Sequence, residues 1–211
     1  MKQKMSTILK NRHYSCASTY DMDARAYRWC APEVLIRRLL STLQVDNLLR
    51  VIDIAVGTGE ASKVFLEMGH QVIGLDISNN MLQEAKKKYP TFYQLKYYDI
   101  NKPLATADIT KESADVIICC GAMHYVTNLD LTLADIASCL IKNGHLAFTY
   151  IPKQKLTFAK ETRSFDTEVV KQTVSQLGLS IINQEQFIAY YQIHTKNEPV
   201  FYELIIEKKK L

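Results

Sequence analysis

Val51-Ile-Asp53-Ile-Ala-Val-Gly57-Thr-Gly59-Glu-Ala61 is the stretch that decides the fold. An apolar run carrying one acid is followed by two glycines and then by a helical pattern, so it reads as strand, tight turn and helix. Glycine has no Cβ, and a turn built on it brings bare backbone against a ligand.

Working downstream, Leu49–Ala55 is the first predicted strand. Ala61, Val64, Phe65 and Met68, at i, i+3, i+4 and i+7, predict the helix after it, closed by Gly69. Gln71–Asp76 and Phe92–Asp99 read as the second and third strands, each ending in an acid. Between them Met81, Ala85 and Tyr89 mark a helix face stopped by Pro90. Residues 101–113 are polar and predict a loop with at most a short helix. Ala114–Cys120, apolar throughout its centre, suits a buried parallel strand. Leu133 to Ile141 predicts a helix ended by Asn143-Gly144, and His145–Ile151 a fifth strand. Phe165-Asp166 opens a further helix closed by Gly178. Ser180–Gln192 and Val200–Glu207, joined across Thr195–Pro199, predict an antiparallel pair.

Upstream, Ala31-Pro32-Glu33 opens a helix well, and Leu35, Leu39 and Leu43 give it a buried stripe. Tyr14–Trp29 is rich in Tyr and Arg. It reads either as a surface helix or as a lid over the glycine turn. Met1–Asn11 shows no period and is expected to be a mobile arm. Residues 1–43 are therefore the N-terminal arm and lid helices, and residues 44–211 the main body of a single compact domain. Alternating strands and helices with short links imply an α/β, doubly wound, mostly parallel sheet, with helices on both faces. Ligands of such sheets bind at the carboxyl ends of the strands.

Composition narrows the partners. With 211 residues, 47% hydrophobic and 23% charged, the chain is globular, and a net charge of +4 is too mild for a nucleic-acid surface. No apolar run approaches the ~20 residues that span a bilayer, so no membrane insertion is expected. Five cysteines (16, 30, 119, 120, 139) form no CxxC pair, which points away from a disulfide framework and a metal site. A reducing, cytoplasmic compartment fits.

The glycine turn lacks the third glycine of a dinucleotide fingerprint, where Ser62 stands instead. Glu60 and Asp53 bring negative charge to the amides that a pyrophosphate needs. A ligand with positive charge and no phosphate suits these acids better, and S-adenosylmethionine (SAM) is such a ligand. Asp76 is placed to accept its ribose hydroxyls, and Asp99 or the Ile100 backbone to meet its adenine edge.

Here the chain resembles the class I SAM-dependent methyltransferases. Ile52-Asp-Ile-Ala-Val-Gly-Thr-Gly59 matches that family's first motif, LDLGCGTG, with Ala55 replacing its first glycine. Gln71 to Leu82 matches the second motif, Asp99-Ile100 the adenine-contact motif, Ala114 to Val126 the fourth-strand motif and Leu140 to Leu146 the turn into strand five. In detail it is similar to small-molecule enzymes of the ubiquinone-biosynthesis and trans-aconitate-methyltransferase kind. The resemblance implies a Rossmann-like, seven-stranded sheet with the last strand inserted antiparallel. It also implies a cofactor site of Asp53, Ala55, Val56, Gly57, Thr58, Gly59, Asp76, Ile77, Met81, Asp99, Ile100, Cys120 and Gly121, with Tyr20, Tyr27 and Arg28 near the methionine carboxylate.

Methyl transfer is an in-line displacement in which proximity and orientation carry much of the catalysis. His124, just past the fourth strand, is the candidate base by position, or else a structural histidine; with Tyr125 it would line the acceptor pocket. His13 and His70 read as surface residues, and His194 has no assigned partner. The chain lacks the Asn/Asp-Pro-Pro-aromatic motif of nucleic-acid amino-methylating enzymes, the catechol-type metal acid and the double-glutamate loop of protein-arginine enzymes. The expected activity is methyl transfer from SAM to a small-molecule acceptor, leaving S-adenosylhomocysteine (SAH), by a monomer or homodimer. An NAD(P) oxidoreductase and a non-catalytic SAM-binding protein are the alternatives.

Overall fold

The strand residues alternate between two cores, and that alternation sets the layers. Val51, Val72, Val116, Ile118 and Ala147 face one way; Ile52, Ile54, Leu75, Ile117 and Phe148 face the other. A strand buried on both sides has to be covered by helices on both sides. In the computed structural model, which describes residues 17–44, 46–154, 162–192 and 198–209, both sides are covered.

In chain order the elements are α1 (Tyr20–Ala26), α2 (Ala31–Leu40), β1 (Arg50–Ile54), α3 (Lys63–Glu67), β2 (Gln71–Asp76), α4 (Asn79–Lys88) and β3 (Gln94–Tyr97). There follow β4 (Ala114–Cys119), α5 (Leu129–Cys139), β5 (Leu140–Tyr150), α6 (Thr167–Gln176), β6 (Leu179–Gln192) and β7 (Glu198–Lys209). Helices α2, α3 and α4 supply Leu35, Leu39, Phe65 and Ala85 to the first core. Helices α5 and α6 supply Leu133, Ile136, Val170 and Val174 to the second. The N-terminal helices thus divide: α2 is part of the core, whereas α1 buries none of its residues.

The sheet order is β3-β2-β1-β4-β5-β7-β6. The first five strands run parallel, and β7 runs antiparallel to both β5 and β6. Strand order reverses between β1 and β4, so the carboxyl ends of those two strands frame a crevice. The expected arm Met1–Asn11, His13, His194 and the Thr195–Lys196–Asn197 part of the last turn lie outside the described residues.

Three local differences from the sequence reading have physical causes. The helix after the glycine turn is short, Lys63–Glu67, because the turn itself continues through Ala61. Strand β3 occupies only Gln94–Tyr97, which leaves Asp99 in the following loop. The helix before β5 stops at Cys139, and Leu140 already pairs with Ala114. The register between β4 and β5 then shifts, so that Val116 meets His145 and residues 141–144 bulge from the ladder. Asn143 accommodates this at φ +64°. Gly144 is pressed on backbone: a Cβ there would lie 3.0 Å from the Ile141 oxygen and 3.2 Å from those of Ala114 and Asp115.

His70 is a further correction. It is buried, and its Nδ1 accepts from the Leu49 amide at 3.2 Å, so it braces the entry to β1 and is no surface residue.

The bulge makes a checkable claim. Gly144→Ala should lower stability to urea by about 1–3 kcal/mol, since three carbonyl oxygens cannot all withdraw. Wild-type stability would show that Asn143-Gly144 is the open helix stop that the sequence suggests.

Candidate functional site

Between the ends of β1 and β4 the turn from Ala55 to Gly59 adopts left-handed backbone at three of five residues: Ala55 (φ +60°), Gly57 (φ +55°) and Gly59 (φ +93°). Each glycine has a distinct reason. Gly57 has open space where a Cβ would point, which leaves its face to a ligand. At Gly59 a Cβ would lie 2.9 Å from the Tyr89 ring, so this glycine serves packing against α4. Ala55 holds the same backbone with a methyl group attached, a conformation that costs an L-residue roughly 1–2 kcal/mol.

The turn borders a cleft of about 470 Å³. Its described lining includes seven of the residues expected from sequence: Tyr20, Asp53, Ala55, Val56, Gly57, Thr58 and Cys120. Asp76 closes the turn from behind, where its Oδ2 accepts from the Gly57 amide at 2.9 Å and its Oδ1 from the Ser78 amide at 2.8 Å. Ser78 in turn caps α4, accepting from the Met81 amide. Met81 is buried and Ile77 half-buried beside this acid. Asp99 and Ile100 stand half-buried in the loop after β3, with Asp99 accepting from the Asn101 amide at 2.9 Å.

Asp53 lies on the cleft floor, 1% exposed, and accepts from the Ser62 hydroxyl at 2.7 Å. Burial pushes its carboxyl up to about 7, against the Ser62 hydrogen bond and helped by the nearby Asp76 charge. Burial likewise pushes Asp76 up to about 6, although the Ser78, Gly57 and Ile77 amides favour its charged form. Both acids are thus poised to ionise fully when a cation arrives.

The lid side departs from expectation. Arg28 is exposed at φ +56° and its guanidinium lies over the Tyr191 ring, 5.8 Å from the centroid. Tyr27 offers its carbonyl to the Tyr191 amide at 3.2 Å. Neither is among the cleft-lining residues, whereas Asp21, Ala24 and Arg25 of α1 and Trp29 after it are. Positions 20, 21, 24 and 25 fall on one helical face, and that spacing is the signal that would have found them.

Glu60 also changes meaning. Its carboxylate pairs with the Lys88 ammonium and accepts from the Tyr89 hydroxyl at 3.3 Å, so its charge is already met. The cation-favouring character of the cleft rests on Asp53 and Asp76.

At the end of β4 Gly121 donates its amide to the Thr149 hydroxyl at 2.8 Å and packs under Trp29. Burial pushes the Cys119 and Cys120 thiols up, so neither is a ready thiolate. His124 is 4% exposed, with the Tyr125 ring at 4.0 Å and the Tyr202 ring edge-on at 5.7 Å. It and Tyr125 are not among the residues lining the cleft.

Comparison with known proteins agrees with this fold. Residues 52–148 match the family described as a methyltransferase domain. "Probable polyketide synthase 27" of Dictyostelium discoideum is 27% identical over 146 residues, covering 60% of this chain and 5% of that protein. An uncharacterized protein of Haemophilus influenzae is 32% identical over 107 residues, covering 47% of this chain and 41% of the other. The chain thus spans less than half the length of either curated relative. In three dimensions it is similar to magnesium protoporphyrin IX methyltransferase from Synechocystis PCC 6803 with bound SAH, at a TM-score of 0.73 and 16% identity, over 97% of this chain and 99% of that one. The fold is shared with that methyltransferase, and residues 52–148 match the methyltransferase-domain family.

The two raised acids set a pH dependence. A folded-state pKa above the ordinary 3.8 means that the folded chain keeps protons which the unfolded chain has released. That contribution to stability is complete below about pH 3.8 and is lost as pH rises through about 6 for Asp76 and about 7 for Asp53. Thermal melts of the ligand-free protein should therefore fall between about pH 4 and about pH 7, and Asp53→Asn should flatten the upper part of the fall. Parallel wild-type and variant curves would remove Asp53 as the titrating group.

Proposed function

We propose that the protein is a SAM-dependent methyltransferase that acts on a small-molecule acceptor. The observation that carries this reading is the cleft at the ends of β1 and β4, where open Gly57 backbone lies between two buried acids held near neutrality. Those residues fit the cofactor. Asp76 is held by the Gly57, Ser78 and Ile77 amides, and of its roughly four acceptor positions this leaves capacity toward a ribose hydroxyl. Asp53, Tyr20 and Arg25 are placed for the amino-acid end, with Arg25 taking the part that the resemblance assigned to Arg28. Ile77, Met81, Asp99 and Ile100 serve the adenine side, and Cys120 and Gly121 the methyl end.

When bound, SAM supplies a methyl group on a sulfonium, and the reaction is an in-line displacement. The protein's contribution is to orient the acceptor and exclude water. A base is needed only where the acceptor's proton cannot leave unaided. The buried stack of His124 between Tyr125 and Tyr202 supports a packing role at the acceptor end. The seven-strand order with β7 inserted antiparallel agrees with the family fold that the resemblance implies. The free thiols of Cys30, Cys119, Cys120 and Cys139 suit a reducing compartment such as the cytoplasm. Among the described residues no helix is long and apolar enough to cross a membrane.

The direct test is incubation with methyl-labelled SAM and fractionated metabolite extract, with label expected in a small-molecule fraction. Cofactor binding without transfer to any fraction would favour a non-catalytic SAM-binding protein. Stabilisation by NAD(H) and not by SAH would overturn the cofactor assignment. Separately, Asp76→Ala should weaken SAH binding about tenfold or more in calorimetry, the size expected for hydrogen bonds to a charged group.

A further inference from the structure

The outer wall of the cleft is α1, and none of its seven residues is buried. So short a helix neither gains much from apolar burial nor holds itself together. Among the described residues, its C-terminal end and one carboxylate tie it to the rest of the chain. The C-terminal end is fixed to β6: the Tyr191 amide donates to the Tyr27 carbonyl at 3.2 Å, and the Cys30 amide to the Ala189 carbonyl at 3.1 Å. Trp29 packs edge-on to the Tyr202 ring at 5.3 Å and against Tyr190 at 5.9 Å. Between these anchors Arg28 holds left-handed backbone, the mark of a point where the chain changes direction under constraint.

The carboxylate is Asp21. Its Oδ1 accepts from the Thr58 hydroxyl of the glycine turn at 2.6 Å, and its Oδ2 from the Lys88 ammonium in the last turn of α4. Lys88 also reaches Glu60 on the far side of the turn. Lid, glycine turn and α4 therefore meet at one ammonium. Burial works against the Asp21 carboxylate, but the Lys88 and Thr58 hydrogen bonds outweigh it and hold its carboxyl below the usual range.

We propose that Asp21 and Lys88 are positioning residues that latch α1 over the bound cofactor, with Tyr27–Cys30 as the hinge, and so set how long the cofactor stays. This rests on the SAM reading above. Lys88 lines the cleft rim and acts on the lid, and the ligand is held by the turn, Asp53 and Asp76. The pair is about one-third exposed, 32% for Lys88 and 29% for Asp21, so salt should loosen it.

The full chain carries one tryptophan, and Trp29 sits at the hinge, where it reports lid motion. Dissociation of SAH is followed by its fluorescence in stopped flow, with circular dichroism confirming that each variant is folded. Asp21→Asn and Lys88→Met should each raise the SAH dissociation rate about tenfold, as expected for loss of a charge-assisted bond. The double variant should be no faster than either single one. Lys88→Arg should keep a near-wild-type rate, and added salt should speed wild type while leaving the single variants flat. Single variants within twofold of wild type overturn the latch. So does a double variant whose effect is the product of the two, or an effect of Lys88→Met with Asp21→Asn silent, which would place Lys88 on the cofactor. A wild-type chain that binds no SAH overturns the cofactor reading itself, and the latch with it.

Discussion

The site hangs on one carboxylate between two loops. Asp76 ends β2, yet its oxygens bind the Gly57 amide beyond β1 and the Ser78 amide before α4. A buried carboxylate is costly unless its acceptor positions are filled, so its burial and the shape of both loops are one fact. Through Gly57 it holds a turn in which Ala55, Gly57 and Gly59 all take left-handed backbone. Through Ser78 it fixes the first turn of α4, and the last turn of that helix carries Lys88. The floor of the cleft and the ammonium at its rim are thus set by the same anchor.

Much of the fold was legible because burial on two faces writes itself into strands. Val116-Ile-Ile118 alternates between the two cores as a parallel central strand must, and Asp166 caps α6 as its position suggested. Less legible was anything that depends on where a backbone turns. A helical reading carried on through Trp29 leaves Arg28 in line with the face that bears Arg25. The helix ends at Ala26 and Arg28 adopts φ +56°, so the guanidinium goes to Tyr191 instead. Asn143-Gly144 reads as a helix stop in one dimension; only the pairing of Leu140 with Ala114 makes it a bulge. Lys88 reads as a cation at a helix C-terminus, and nothing local shows that it reaches a helix sixty-seven residues earlier in the chain.

His124 illustrates the converse. Its position just past β4 is what suggested a base, and sequence carries position but not depth. Packing of its ring between Tyr125 and Tyr202 follows from β7 being inserted next to β5, a contact between residues far apart in the chain.

The two layers of charge in the cleft divide the work. At the rim Asp21 and Glu60 are met by Lys88, and the nearby Arg25 further favours the charged form of Asp21. That cluster is close to balanced on its own, so closing the lid does not require charge from a ligand. Deeper, Asp53 on the floor and Asp76 behind the glycine turn are pushed up by burial, to about 7 and about 6, and remain partly protonated near neutrality. A cation there favours their ionised form and gains their attraction, whereas an anion is repelled by whatever fraction is ionised. Preference for a cationic ligand is therefore a property of depth, not of how many acids line the cleft, and it is separable from the closure that retains the ligand.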